Sequence, residues 1–334
     1  MAEPATRPRW PLVLGALGVV LAVQALFVVS YVGALHAPSP RDVPFGVVGP
    51  PALADAVGTR FSLRTTRYKD EAAARRAIDH RQAYGALVTT PTGLKLVVAP
   101  AAGNAVATAL ATAFTTAAAA TGRRLTVVQL HPLPSGDRSG AVSFLVVMAL
   151  VIGGYLSATI ATTIGGPATH RWRAPVLAGV AVIGSLATDL VAGPLLGAIP
   201  TDKFFVLWAL FAFVMLAVAW AAAALQALFG PVGTLIVIVV FVIFGAPAAG
   251  GTVPRPFLPS FWGTIGPYLP PGAGTTAVRN TIYFGGNGIG RALVVLAVYL
   301  LVGGAIVVRV RRKASAQALD AESEAAAGAA AVVV

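Results

Sequence analysis

Long apolar runs separated by short polar stretches dominate the hydropathy pattern of this chain. The apolar runs lie at 11–35, 141–164, 175–199, 204–229, 232–249 and 292–308. Each run holds 17 to 26 residues without Lys, Arg or Glu, which as a helix is about enough to cross a hydrocarbon core of roughly 30 Å. The pattern therefore predicts six membrane-spanning helices.

A polar stretch at 36–138 separates the first apolar run from the second. It holds 12 of the 24 basic residues and alternates short β-rich runs with helical ones. Residues 70–83 predict a helix capped by Asp70, and the β-rich runs on either side of Pro91 predict a hairpin. The full order β-α-β-α-β-β-α-β is typical of a small sheet covered by helices, so this stretch predicts a folded domain in water.

The fold class that follows is a polytopic α-helical membrane protein with six spans and an inserted extracytoplasmic α/β domain. The predicted divisions are a cytoplasmic N-terminal tail with the first span at 1–35, the α/β domain at 36–138, a five-span membrane domain at 139–313 with an outer re-entrant segment at 250–290, and a cytoplasmic tail at 314–334. The tail is Ala-rich and poor in large apolar residues, so we expect it to be disordered.

The distribution of basic residues predicts how the chain is oriented in the cell membrane. Eight of them flank the ends assigned to the cytoplasm, namely Arg7, Arg9, Arg171, Arg173, Arg309, Arg311, Arg312 and Lys313. The short outer segments carry only Lys203, Arg255, Arg279 and Arg291. The positive-inside rule then places both termini in the cytoplasm and 36–138 outside, since long domains translocate largely regardless of charge. We read the first run as a retained signal anchor, with cleavage near Ala34 or Ala37 as the alternative.

Composition supports a membrane protein and argues against other classes. The chain is 57% hydrophobic and 11% charged, where soluble domains carry about a quarter charged residues. The net charge of +12 is not gathered into an aromatic-interleaved patch, so we expect no nucleic-acid partner. There is no cysteine, and the four histidines are scattered without metal-ligand spacing, so we expect no cofactor or metal.

The segment between the fifth and sixth runs, residues 245–288, is unusual for a simple loop. Prolines break it into short pieces, and aromatic residues give it an interfacial character. We expect short re-entrant or interfacial helices over 257–284. An ordered outer cap that only closes the bundle is the alternative.

This segment contains the series GAPAAGG, VP, LP, FW, PYLPPGA, AVR and YFGG. Through this series it resembles the type-2 ABC exporter permeases, in particular their actinobacterial, phage-infection-protein-like branch. The matching residues are Gly250, Gly251, Pro254, Pro270, Pro271, Gly272, Arg279, Tyr283 and Phe284. Ala246 and Ala249 depart from the Asn and Ser that the family commonly has. The order of one span, an outer domain and five further spans also fits the family along nearly the whole chain.

This resemblance implies a permease subunit powered by a separate cytoplasmic ATPase, working as a homodimer or as a heterodimer with a related permease among membrane lipids. The chain has no GxxxxGK[ST] phosphate loop, so we expect no enzymatic activity of its own. The family places the ATPase contact on the loop between the second and third spans, here at His170, Arg171, Trp172 and Arg173. An orientation signal with an interfacial anchor explains the same residues equally well.

Three polar residues inside the spans are candidates for a substrate path. Asp189 is the only acidic one, near the middle of 175–199, where a charge is costly unless it is paired, neutralised or wetted. It could line a substrate or proton path, or bond a neighbouring helix as a protonated acid. Gln24 and Gln226 are more typical of contacts between helices. Arg279 in the outer segment could face lipid phosphates or an anionic substrate, and we favour its interpretation as a surface residue that snorkels.

Three hypotheses follow. The leading one is a permease subunit of an ATP-driven exporter for a lipid-like or amphipathic substrate. The second is a cell-envelope scaffold or receptor whose outer domain binds a partner and whose spans only anchor it. An ion-driven transporter using Asp189 is the third, and it is weaker because proton relays generally need more than one intramembrane titratable group.

Overall fold

The computed structural model describes residues 10–163 and 172–332. Among these residues, six helical stretches are long and apolar enough to cross a membrane, which confirms the predicted number of spans. They are α1 (Trp10–Leu35), α5 (Val142–Thr163), α6 (Arg173–Leu190) with a π-helical turn at Val191–Leu195, α7 (Phe204–Phe229), the composite of α8 (Pro231–Val237), a π-helix at Ile238–Phe244 and α9 (Gly245–Ala248), and α12 (Gly290–Val332).

Helix α7 lies at the centre of the bundle and packs against α5, α6 and α12. Small residues allow these helices to approach closely. A Cβ on Gly154 of α5 would lie 2.7 Å from the Met215 carbonyl oxygen, and one on Gly303 of α12 would lie 2.7 Å from the Trp220 carbonyl oxygen. Close backbone approach is how helices associate where lipid offers no hydrophobic driving force.

Helix α1 is peripheral and packs against the fifth span near its own C-terminal end. Pro247 has no N–H to donate to the Ile243 carbonyl, as an α-helix would require. The buried Ser30 hydroxyl donates to that carbonyl instead. Ala34 packs with Ala248 and Trp262. The break in the fifth span is thus where the first span attaches.

The inserted α/β domain contains one five-stranded sheet. Its strands are β1 (Val43–Val48), β2 (Leu63–Arg67), β3 (Gly85–Thr90), β4 (Gly93–Val98) and β5 (Leu125–Gln129), in the order β2-β1-β3-β4-β5. Only the β3–β4 hairpin is antiparallel. The element order is the one that the sequence predicts.

Helices cover both faces of this sheet. They are α2 (Ala52–Phe61), α3 (Glu71–Asp79) and α4 (Asn104–Ala120). Strand alternation puts Phe45 and Leu96 in a core with α2 and α4, while Ala86 and Val97 face the α3 side. Asp70 accepts a hydrogen bond from the Ala73 N–H at 2.7 Å, so the predicted N-cap is confirmed.

The segment after α9 consists of short helices separated by prolines. They are a 3₁₀ turn at Arg255–Phe257, α10 (Ser260–Ile265), a 3₁₀ turn at Gly266–Tyr268 and α11 (Pro270–Tyr283). Helix α11 has 14 residues and is therefore about 21 Å long. That is too short for a seventh span across roughly 30 Å of hydrocarbon.

The C-terminal tail differs from the expectation of disorder. Helix α12 continues past Lys313 to Val332. Alanine has the highest helix propensity, so an Ala-rich stretch joined to a formed helix extends it without needing tertiary contacts.

Candidate functional site

Helix α11 carries most of the family-like motif and is buried inside the bundle. From Pro270 to Ile282 all its residues are buried except Thr276, which is partly exposed. Gly274 has Val147 of α5 and Val214 of α7 within contact distance of a Cβ placed on it. The segment is therefore inserted between the spanning helices rather than laid over their ends.

Arg279 is buried, so its interpretation as a snorkelling surface residue is wrong. Only 7% of it is exposed, and its guanidinium donates three hydrogen bonds to backbone carbonyls. Nη1 donates to Gly250 at 2.9 Å, and Nη2 donates to Gly251 at 3.0 Å and to Gly140 at 3.2 Å. Burial lowers the pKa of Arg279 to about 10, so it stays charged at neutral pH. It joins α11 to the loops before α5 and after α9.

The two motif glycines beside Arg279 have separate reasons to lack a side chain. Gly250 adopts φ +69°, in the left-handed region that favours glycine. At Gly251 a Cβ would clash with the ring of Phe144. Both carbonyls therefore reach the guanidinium because the backbone can bend and approach closely here.

Tyr283 and Asp137 make a second connection between α11 and α5. The Tyr283 hydroxyl donates to Asp137 Oδ2 at 2.7 Å. Asp137 Oδ1 accepts from the backbone N–H of Ala141 at 2.9 Å and caps the start of α5. Burial and the Asp137 carboxylate raise the pKa of Tyr283, so its hydroxyl keeps the proton. Sequence reasoning missed Asp137, although an Asp just before an apolar run is a cap signal.

Asn280 and Arg81 connect α11 to the α/β domain. Arg81 Nε donates to Asn280 Oδ1 at 3.2 Å, and its Nη2 donates to the Ala102 carbonyl at 3.3 Å. The Arg81 guanidinium lies 4.6 Å from the centroid of the motif residue Phe284. Arg81 was not singled out from the sequence because its partners are about 20 and 200 residues away along the chain.

Lys203 and the motif prolines fix the two ends of α11. Lys203 Nζ donates to the carbonyls of Thr281 and Ile282 at 2.9 and 2.8 Å, which otherwise lack partners at a helix C-terminus. Pro270 and Pro271 occupy the first helical positions, where proline is favoured. A Cβ on Gly272 would clash with the Gly266 carbonyl.

Pro254 belongs to the junction with the α/β domain. Pro254 packs against Gly103, the residue that precedes α4. A Cβ added to Gly103 would lie only 2.7 Å from the Pro254 ring, so the loop after α9 approaches α4 closely here. Pro254 thus packs α4 of the α/β domain against the loop after α9.

The three candidate substrate-path residues do not come together. Gln24 lies on the exposed surface of α1. Gln226 is buried, and its Oε1 accepts from Thr162 while its Nε2 donates to Thr159 and Thr234, at 2.8, 2.8 and 3.2 Å. This network joins α5, α7 and α8, as expected for an amide between helices.

Asp189 lies in the last third of its span rather than near the middle, because the span runs from Arg173 to Leu195. It is about 24 Å along α6 from Arg173, which itself adjoins the Gln226 network. Only 1% of Asp189 is exposed, and its Oδ2 has no hydrogen-bond partner among the described residues. Its Oδ2 therefore makes no bond between helices in this conformation.

Of the proposed ATPase-contact residues, His170 and Arg171 lie outside the described residues. Trp172 is 57% exposed, which fits an ATPase contact and an interfacial anchor equally. Arg173 is 8% exposed and donates to the Thr162 hydroxyl, so it is held inside the bundle rather than on a loop surface.

A cavity of about 800 Å³ opens between the α/β domain and the domain-side end of the bundle. Six arginines line it, namely Arg41, Arg64, Arg81, Arg255, Arg279 and Arg291. Asp42 is the single acidic residue of the lining, and it lies 3.6 Å from Arg64. Among the described residues no group of three or more His, Cys, Asp or Glu side chains could hold a metal ion.

Six spans, with α7 at their centre and α11 inserted among them, define a polytopic helical integral membrane protein. A family model described as ABC-2 family transporter protein matches residues 12–309, and the chain belongs to that family. No curated protein and no solved structure matches it. Members of the family are the non-catalytic membrane subunits of ABC transporters, and ATP is hydrolysed by a separate cytoplasmic subunit. This chain is accordingly a transmembrane permease subunit.

Proposed function

We propose that this permease exports a lipid-like or amphipathic substrate, driven by a separate ATPase, and that it belongs to the phage-infection-protein-like branch of its family. The observation that carries the proposal is the inserted helix α11. Hydrogen bonds connect this one helix to the starts of α5 and α7, to the loop after α9 and to the α/β domain. A movement of the spans would therefore reach the α/β domain through α11.

The proposed orientation puts both termini in the cytoplasm and the α/β domain outside. The basic residues that follow the sixth span support it, because the cytoplasmic ends of spans carry excess Lys and Arg. The Gln226 network would then lie on the cytoplasmic side. This network joins α5, α6, α7 and α8 by hydrogen bonds, so a force that an ATPase applies to one of these helices would reach the other three.

The proposed assembly is two permeases with ATPase subunits on the cytoplasmic face. The second permease is either another copy of this chain or a related one. In this assembly the exposed apolar surface of α1 faces membrane lipid or the second permease. The exposed Trp172 belongs to the surface that meets the ATPase.

The test is reconstitution of the chain with a candidate cytoplasmic ATPase subunit. Proteoliposomes containing fluorescent phosphatidylglycerol should show ATP-dependent movement of the lipid to the leaflet facing the α/β domain. Matched vesicles with an ATPase whose phosphate-loop lysine is replaced should show none. If the purified ATPase neither binds this chain nor changes its hydrolysis rate in its presence, the proposal of ATP-driven export fails and the anchored scaffold becomes the better explanation.

A further inference from the structure

The arginine-lined cavity between the α/β domain and the bundle has an excess of positive charge that the described residues do not neutralise. Within the described part of the chain, the only carboxylate within 4.0 Å of a lining arginine is Asp42, next to Arg64. Arg81, Arg255, Arg279 and Arg291 have no such partner there. Like charges that line one cleft repel one another and attract counter-ions, so the cavity favours an anion.

The lining arginines also affect one another. Burial lowers the pKa of Arg81; Tyr84 opposes this shift, and the like charge of Arg255 adds to it. Burial and the like charge of Arg81 lower the pKa of Arg279, against the opposing effects of Tyr84 and Asp137. Partial desolvation lowers the pKa of Arg255; Tyr84 opposes this shift, and the like charge of Arg291 adds to it. An anion bound among these side chains would relieve the repulsion.

Arg81 presents one N–H donor that no described residue accepts. Its Nε and Nη2 are held by Asn280 and the Ala102 carbonyl, and its plane lies against Phe284. Its Nη1 is buried and has no partner among the described residues. Buried N–H groups almost always have acceptors, so this one points to a ligand in the cavity. Since three contacts already orient the guanidinium, little entropy is lost when it binds.

Two further arginines line the same cavity from the loop after α9 and from the start of α12. Arg291 is stacked on Tyr268, with its guanidinium 4.5 Å from the ring centroid. Arg255 makes one 3.3 Å bond to the Gly263 carbonyl and is otherwise exposed. Arg279 has its Nη atoms committed to carbonyls, so it contributes charge rather than donors.

The chemistry of the lining identifies a class of ligand. Guanidinium groups match phosphate oxygens in geometry and charge. A volume of about 800 Å³ is far larger than a lone phosphate needs and is typical of a site for a small organic ligand. Tyr84, Leu258 and Pro267 supply apolar surface beside the arginines.

We infer that this cavity is a binding site for a phosphate-bearing ligand of headgroup size, recognised by Arg81, Arg255 and Arg291. The phosphate could be carried by a membrane lipid or by a water-soluble diphosphate. The inference concerns binding alone, so it does not depend on whether the chain transports its ligand.

The test uses the full chain in nanodiscs, without ATPase or ATP. In phosphatidylcholine nanodiscs, pyrophosphate binding is measured by calorimetry. In nanodiscs with added phosphatidylglycerol, native mass spectrometry counts the lipid retained on the released protein. Binding in the first arm identifies a soluble diphosphate source, and retention in the second identifies a lipid headgroup.

Variants locate the bound anion. Arg255→Gln and Arg291→Gln are exposed positions that should fold normally, and each should weaken binding about tenfold for the loss of one charge-assisted contact. Arg81→Lys keeps the positive charge but loses the planar pair of guanidinium N–H donors, so it should weaken binding similarly. Arg76→Gln, on the exposed face of α3 away from the cavity, should change nothing. Absence of binding in both arms, or equal weakening by Arg76→Gln, would overturn the inference.

Discussion

The bonds of Arg279 predict a large cost for removing its guanidinium. In Arg279→Gln, the carbonyls of Gly250, Gly251 and Gly140 lose a charged donor that reaches all three. A hydrogen bond to a charged group contributes about 1.5 to 3 kcal/mol, but the shorter amide can still satisfy one carbonyl. Removal of a buried cation also recovers part of its desolvation cost. We therefore expect a net loss of about 2 to 4 kcal/mol in the free energy of unfolding.

The measurement is unfolding by SDS in mixed micelles, or by steric trapping, with the full chain. The matched control is Arg255→Gln, in the same segment, where one exposed 3.3 Å contact is lost and the change should stay within about 0.5 kcal/mol. Tyr283→Phe removes a single bond to Asp137 and should fall between the two. If Arg279→Gln is as stable as the control, Arg279 does not hold α11 against the loops before α5 and after α9, and this reasoning is refuted.

Three further outcomes follow from the proposed topology and the polar residues inside the spans. In this cysteine-free chain, a reagent that cannot cross the membrane should label Cys at Ser62 or Thr92 in sealed cells, and labelling at Ser315 would contradict the orientation. Asp189→Asn should express and fold normally, since Oδ2 has no bond to lose, but should reduce export; full activity would retire a role in the substrate path. Gln226→Leu should lower the unfolding free energy by about 1 kcal/mol, the scale of hydrogen bonds between helices in membranes, and an unchanged value would show that the threonines find other partners.

Local features of the sequence were enough to predict much of this fold. The spans follow from the length of uncharged runs, which depends only on the thickness of the bilayer. The strands and helices of the α/β domain follow from short-range alternation, caps and turns, such as Asp70 before α3. The broken helices after α9 follow from their prolines. These signals lie within a few residues of the elements they specify.

Long-range contacts were decided only by the tertiary structure. From the sequence, Arg279 is interpreted as a cation at the membrane surface. In the folded chain it donates to the carbonyl of Gly140, which lies about 140 residues away along the chain. Arg81 lies in an ordinary helix-turn sequence, and only the docking of the domain on α11 gives it Asn280 as a partner and leaves one donor unbonded. The cavity combines arginines from distant parts of the chain. Periodicity reports which face of an element is apolar, whereas the meeting of two faces depends on packing across the whole chain.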